Sequence, residues 1–298
     1  MTVCDDIYAG TGFSEEMKSI LFRLAGEYDI YWVSLQHTGY PEVVYDEEFP
    51  DLPHQGNSIT QLAGMGLGEN AGFDSFRRWF HKYKPDIVWN IGDPNHFLNY
   101  VKFKKFEGFT FLAYTTLDGL PLYPPWKELF DYIDVPMCMT DWANREFLKA
   151  GYKMGGYVHH GINWDWWATN EERRQQLKNH YNLDEYTIFG NWESNQFRKR
   201  PSALLKSWKA AHPERKKMKL MLLTDTNARM GNNLHNLVKQ YDVPRETVIF
   251  PEDLSPIGEK KYFDQAMSPV EHKKLCELID VYVSTTGGEG FGKGPLKG

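Results

Sequence analysis

The chain has 298 residues, 41% of them hydrophobic and 25% charged, and a net charge of −6. This is the composition of a globular protein of about two domains, and its acidity argues against a nucleic-acid coat. No apolar run approaches the roughly 18 residues that span a bilayer, Met1–Asp6 has no signal-peptide character, and Cys4, Cys138 and Cys276 match no zinc or redox spacing, so a reduced, cytoplasmic chain is expected, with peripheral membrane contact left open.

Short apolar runs alternate with helical patterns, the signature of parallel α/β architecture. A weak first strand falls in residues 1–8. Gly10-Thr11-Gly12-Phe13-Ser14 leads into a helix from about Glu15 to Gly26, with Met17, Ile20, Leu21 and Leu24 at helical spacing and Ser14 as the expected N-cap. Asp29 to Leu35 reads as a strand, and residues 36–72 as a polar, irregular stretch holding a short strand or two. A helix follows from Phe73 to Tyr83. Strands are expected over Pro85–Gly92, Phe109–Tyr114 and Pro136–Thr140, with a Pro- and Gly-rich turn after the second. Asp141–Ala150 reads as a helix and Gly156–His160 as a short strand.

Residues 163–172 read as a hinge, and the same alternation then restarts. Thr187–Gly190, Lys219–Thr224, Val248–Phe250 and Leu278–Ser284 are expected strands. Pro201–Ala211 and Gly231–Tyr241 are expected helices, Pro201 being suited to a first turn, and Ser268-Pro269-Val270-Glu271 opens another. The layout predicts two doubly wound domains, 1–165 and 166–298.

Four stretches carry candidate chemistry. A Gly-rich turn into a helix, such as Gly10-Thr11-Gly12, binds phosphate through unpaired N–H groups and the helix dipole, although a tight turn explains it equally well. Ser194-Asn195-Gln196-Phe197-Arg198-Lys199-Arg200 is basic in an acidic chain and lies between a strand and a helix, where cations neutralise a diphosphate leaving group; the plain alternative is a solvated turn. Ser284-Thr285-Thr286-Gly287-Gly288-Glu289-Gly290-Phe291-Gly292 follows the last strand. In open α/β sheets ligands sit beyond the carboxyl ends of strands; Glu289 reads either as a surface carboxylate in a flexible loop or, better given the glycines that hem it in, as a partner for ligand hydroxyls, with Phe291 as the loop's anchor. Fourth, His96 and Asp118 follow strands; His96 reads first as a structural or surface histidine and second as an active-site group, and Asp118 either as a base and hydroxyl partner or as part of an Asp-Gly turn. No metal-ligand spacing, nucleophile elbow or dinucleotide fingerprint is present. The 10 Trp, 17 Tyr and 18 Phe read first as core, then as rings on which sugars stack.

These motifs, in this order, resemble family 4 glycosyltransferases, which have the GT-B fold. Ala9-Gly10-Thr11-Gly12-Phe13 is similar to the family's first glycine loop, and Pro85-Asp86-Ile87-Val88 to its "PDvv" strand. Leu117-Asp118-Gly119-Leu120-Pro121 resembles a "D-G-x-P" turn, and Val158-His159-His160-Gly161-Ile162-Asn163 the segment closing the first domain. Asn195–Pro201 is similar to "NqxRKrp", and Gly288-Glu289-Gly290-Phe291-Gly292 to "EGFG".

The resemblance implies two Rossmann-like domains facing a cleft and a nucleotide-diphosphate sugar as substrate rather than any cofactor. It implies transfer with retention and without an obligatory metal, to an acceptor that is a glycan, lipid-linked sugar, protein or small molecule. Lys199, with Arg198, would stabilise the departing diphosphate, and Glu289 would hold donor hydroxyls. Gly10, Thr11, Gly12, Gly288, Gly290, Phe291 and Gly292 would line the donor phosphates. The chain departs from the family at Ser194, where an arginine is common, and at Lys297, where a second glutamate is usual. It also ends at Gly298, before the family's last αβ units, so an incomplete second domain is expected. A sugar- or nucleotide-binding module without turnover and a nucleotide-sugar epimerase are the competing expectations.

Overall fold

The computed structural model describes residues 1–64, 72–211, 217–228, 231–254 and 268–297. The chain divides into two compact units: Met1–Gly161 with Glu289–Phe291, and Ile162–Gly288 with Gly292–Gly298.

In the first unit the strands are β1 (Thr2–Cys4), β2 (Tyr31–Ser34), β3 (Glu42–Tyr45), β4 (Ser58–Ala63), β5 (Ile87–Gly92), β6 (Thr110–Thr115), β7 (Val135–Cys138) and β8 (Gly156–Tyr157). They form two four-stranded sheets, ordered β1-β2-β4-β3 and β5-β6-β7-β8, parallel except for β3. The sheets abut along β1 and β5. Trp89 N–H donates to the Met1 carbonyl at 2.9 Å, the Met1 amino group to Ile87 O at 2.8 Å, and Val3 N–H to the buried Asn90 Oδ1 at 3.1 Å. A side-chain amide thus supplies a rung the backbone ladder lacks.

Alternate residues of each strand point to opposite faces, and both faces are covered. Val3, Val33, Val88 and Phe111 lie in one buried cluster with Phe76, Phe80 and Phe97. Cys4, Trp32, Ile91 and Tyr114 lie in the other, with Met17 and Leu21. Helix α1 (Gly12–Leu24) supplies Met17 and Leu21, and α2 (Phe73–Tyr83) supplies Phe76 and Phe80.

Several elements differ from expectation. α1 starts three residues earlier than predicted: Thr11, not Ser14, is its N-cap, accepting from Ser14 N–H at 3.2 Å. Ser14 is instead buried, its hydroxyl donating to Asp6 O at 2.7 Å. A helix α3 (Leu98–Lys104) stands where none was expected, and α4 (Trp126–Phe130) occupies the Pro- and Gly-rich turn. α5 (Asp141–Lys149) is capped by Thr140, whose Oγ1 accepts from Ala143 N–H. The expected hinge contains the short helix α6 (Trp164–Trp167) and the start of α7 (Glu171–His180).

The second unit carries one parallel sheet, ordered β11-β10-β9-β12, from β9 (Thr187–Asn191), β10 (Met218–Leu222), β11 (Val248–Ile249) and β12 (Val281–Tyr282). Its faces alternate in the same way: Leu220 and Leu222 join Leu205 and Phe250, while Met221 and Ile188 join Leu275 and Leu278. Around it lie α8 (Pro201–Ala211), α9 (Leu234–Gln240) and α10 (Pro269–Cys276). α10 opens on a reciprocal capping box between Ser268 and Glu271.

Candidate functional site

In the first unit the chain runs outward from β1 to β2 and β4, then returns to start β5 on the other side. The carboxyl ends of β1 and β5 are therefore a topological switch point, where loops diverge and leave a crevice. Gly10, Thr11 and Gly12 follow β1; His96 follows β5; Asp118 follows β6. These candidates accordingly share one edge of neighbouring strands.

At Gly92, φ is +154° and a Cβ would lie 2.8 Å from His96 Nδ1, so only glycine lets that imidazole lie over the strand end. The Thr116 hydroxyl donates to Asp93, and Trp126 Nε1 donates to Asn95 Oδ1 at 2.7 Å, tying α4 to the His96 loop. His96 and Asp118 are exposed. The Thr11 hydroxyl donates to Asp5 Oδ2 at 2.7 Å while capping α1. A Cβ at Gly10 or Gly12 would meet nothing within 4 Å, so the chain's own packing demands glycine at neither position.

In the second unit the switch point lies between β9 and β12. The basic turn follows β9, and the glycine loop follows β12. The two loops hold each other. Gly287 N–H donates to Arg198 O at 2.7 Å, and Arg198 Nη1 to Gly288 O at 2.8 Å. Thr285 Oγ1 donates to Arg200 O at 2.9 Å. A Cβ on Gly287 would lie 3.0 Å from the Arg200 guanidinium. Arg200 itself has φ +52°, the left-handed region that side chains seldom adopt and that clusters at functional sites. It directly precedes α8, which opens on Pro201 and closes its first turn with Ala203 N–H donating to Arg200 O at 2.9 Å, so the positive end of the helix dipole lies at the same place. Asn195 is buried and pins the turn to the loop after β10, donating to Asp225 O (2.8 Å) and Asn232 O (2.7 Å).

Lys199 lies 3.4 Å from Glu193, with both side chains largely buried. Glu193 Oε2 accepts from Ser284 Oγ at 2.9 Å and from Asn191 Nδ2 at 3.1 Å. A small pocket here is lined by Asn191, Glu193, Ser194, Lys199, Pro201 and Leu222. Glu193 was not singled out from the sequence, and Arg200 only as the last residue of the basic run. The signal for Glu193 was faint: one carboxylate just after a strand, ahead of a cationic run.

The glycine loop also bonds to itself and to its neighbour. The amides of Gly287 and Gly288 bond within the chain, the latter to Thr286 Oγ1 at 3.4 Å. Glu289, Gly290 and Phe291 group with the first unit, and Gly288 and Gly292 with the second. Gly292 has φ +81°, which favours glycine on backbone grounds alone.

Burial pushes the thiols up, Cys138 to about 11 and Cys276 to about 12, so neither is a thiolate nucleophile near neutrality. Among the described residues no group of three or more His, Cys, Asp and Glu side chains could hold a metal ion. No helix among them is long and apolar enough to cross a membrane.

No family model and no curated protein matches the chain. Solved structures do. Anabaena HepE in complex with UDP and glucose aligns at 10% identity and TM-score 0.68, over 99% of this chain and 77% of that one. Sucrose-phosphate synthase of Thermosynechococcus elongatus aligns at 14% identity and TM-score 0.70, over 99% and 77%. A glycosyltransferase from Rickettsia africae aligns at 12% identity and TM-score 0.60, over 96% and 73%. At these identities the likeness is one of fold, and the α/β fold is the GT-B type that the motifs implied.

Proposed function

We propose that the chain is a glycosyltransferase that moves a sugar from a nucleotide-diphosphate donor to an acceptor hydroxyl, with retention and without an obligatory metal. One observation carries this: the basic turn and the glycine loop are bonded to each other at the switch point of the second sheet, beside the N-terminus of α8. The fold likeness to HepE in complex with UDP and glucose supports it.

In this reading the bond between the anomeric carbon and the diphosphate oxygen breaks, and its electron pair leaves with the diphosphate. Lys199, Arg198 and the α8 dipole stabilise that charge, the kind of preorganised electrostatics that contributes most to such transfers. Glu289 holds donor hydroxyls. Gly10, Thr11 and Gly12 approach the phosphates, and His96 and Asp118 serve the acceptor. The acceptor oxygen attacks on the face the diphosphate leaves, which keeps the configuration, and its proton passes to the departing phosphate oxygen.

The test is a thermal-shift panel of UDP, GDP and ADP and their sugar conjugates, with and without chelator, on the wild-type chain and on Lys199→Ala. One nucleotide at about 100 times its Kd should stabilise the fold by roughly 2.7 kcal/mol, unaffected by chelator, and Lys199→Ala should lose most of that shift. No shift across the panel overturns the proposal. A shift without sugar transfer or hydrolysis favours the binding module, and conversion of the donor sugar without any acceptor favours an epimerase.

A further inference from the structure

Lys199 is a long, flexible side chain, and an ammonium that is to meet a diphosphate in one geometry has to be held there. Glu193 is placed to hold it. Its side chain is 9% exposed and that of Lys199 12%. Oε2 is fixed by Ser284 from the loop after β12 and by Asn191 from the end of β9. Oε1 faces the Lys199 ammonium at 3.4 Å. The Glu193 backbone is fixed too, its N–H donating to Asn191 Oδ1 at 3.0 Å. One oxygen is thus anchored to β9 and to the loop after β12, on the two sides of the switch point, and the other is aimed at the cation.

We propose that Glu193 is a positioning residue that orients Lys199 toward the donor diphosphate. This rests on the proposed function, and it adds a residue that neither the basic-turn motif nor the glycine loop contains. Glu193 acts through Lys199 and does not touch the donor. Its charge sits one ammonium away from the phosphates, and like charges at that separation repel. Affinity for the anion therefore cannot be what Glu193 supplies, and its removal should leave binding of a nucleoside diphosphate undiminished while slowing turnover. A merely structural residue would weaken both together.

The experiment is a double-mutant cycle on the full chain: wild type, Glu193→Gln, Lys199→Ala and the double variant. Calorimetry with UDP, GDP and ADP reads binding, and turnover is read with their glucose and mannose conjugates. Glutamine keeps an oxygen for Ser284 and Asn191 but removes the charge. Glu193→Gln should lower kcat by about tenfold or more, the scale on which misplaced catalytic groups act, with no weakening of the nucleoside diphosphate Kd. The double variant should be no slower than Lys199→Ala alone, because residues acting as one unit are not additive. Should Glu193→Gln fold poorly, Ser284→Ala at an exposed position frees one anchor and should give a smaller loss of kcat in the same direction. Turnover of Glu193→Gln within about twofold of wild type, or losses that multiply in the double variant, overturns the role. If Lys199→Ala is slow and Glu193→Gln is normal, the role fails alone. If the wild type binds no nucleoside diphosphate and turns over no conjugate, the proposed function fails and the role falls with it.

Discussion

Two glycines show how differently the same residue type is used. Gly190 on β9 is packed so tightly that a Cβ would fall 2.1 Å from Ile279, a core constraint. Gly12, the first residue of α1, has nothing within 4 Å of that position and no left-handed φ. Alanine there should stabilise the chain by about 0.4–1 kcal/mol through the unfolded state. If the turn lets a ligand approach closely, as proposed, the same change lowers turnover. Urea melts and donor turnover on one Gly12→Ala preparation separate the two effects, and higher stability with unchanged turnover would remove this turn from the site. The Gly10-Thr11-Gly12 turn was legible because a glycine-rich turn into an amphipathic helix is a local signal. Thr11 as the cap was not, since glycine is a poor helix former and Gly12 did not look helical.

At the scale of elements, α7 was invisible for a physical reason. Its sequence, Glu-Glu-Arg-Arg-Gln-Gln-Leu-Lys-Asn-His, has no apolar stripe. It is held by charges about a hundred residues away: Arg173 pairs with the buried Glu277, which also takes Lys273, and Lys178 donates to Asp280 at 2.7 Å. Burial pushes the Glu277 carboxyl up, but hydrogen bonds from Arg173 and Lys273 outweigh it and hold it below its ordinary 4.5. A depressed folded pKa gives stability that is present above the unfolded pKa and lost as pH falls through the folded one. Glu277→Gln leaves Lys273 buried without its carboxylate and should cost about 3 kcal/mol or more at pH 7. The gap to wild type should narrow as pH drops below about 4.5. Denaturant melts from pH 7 to pH 3 check both; a gap constant with pH would mean that the clasp acts by packing alone. The other missed elements were short. α3 and α4 have seven and five residues, and α4 sits directly behind two prolines. The other strands and α2, α5 and α8 were legible because apolar runs mark them without help from distant residues, whereas β3 and β4 were expected only as a short strand or two within residues 36–72.

At the scale of the whole chain, the alternation of apolar runs and helices made two doubly wound halves readable, because burying both faces of a parallel sheet requires that pattern. The join between β1 and β5 was not readable, since it rests on two main-chain bonds at Met1 and on the Asn90 side chain standing in for a backbone rung. That join makes the first unit one continuous layer with two complete apolar faces. The buried members of both its clusters lie between Val3 and Tyr152, and every strand from β1 to β8 pairs inside it. A unit with its own core and no strand borrowed from elsewhere should fold alone. The fragment Met1–Gly161 should therefore show an α/β circular dichroism spectrum and a single cooperative melt, with a stability within the usual span of about 5–15 kcal/mol. On the proposed function the cations that meet the diphosphate all follow β9, so this fragment should give no thermal shift with the nucleotide that stabilises the full chain. A fragment that stays unfolded would show that residues after Gly161 complete its core. A folded fragment that binds the nucleotide as tightly as the full chain would move the donor site from the basic turn to the glycine turn after β1.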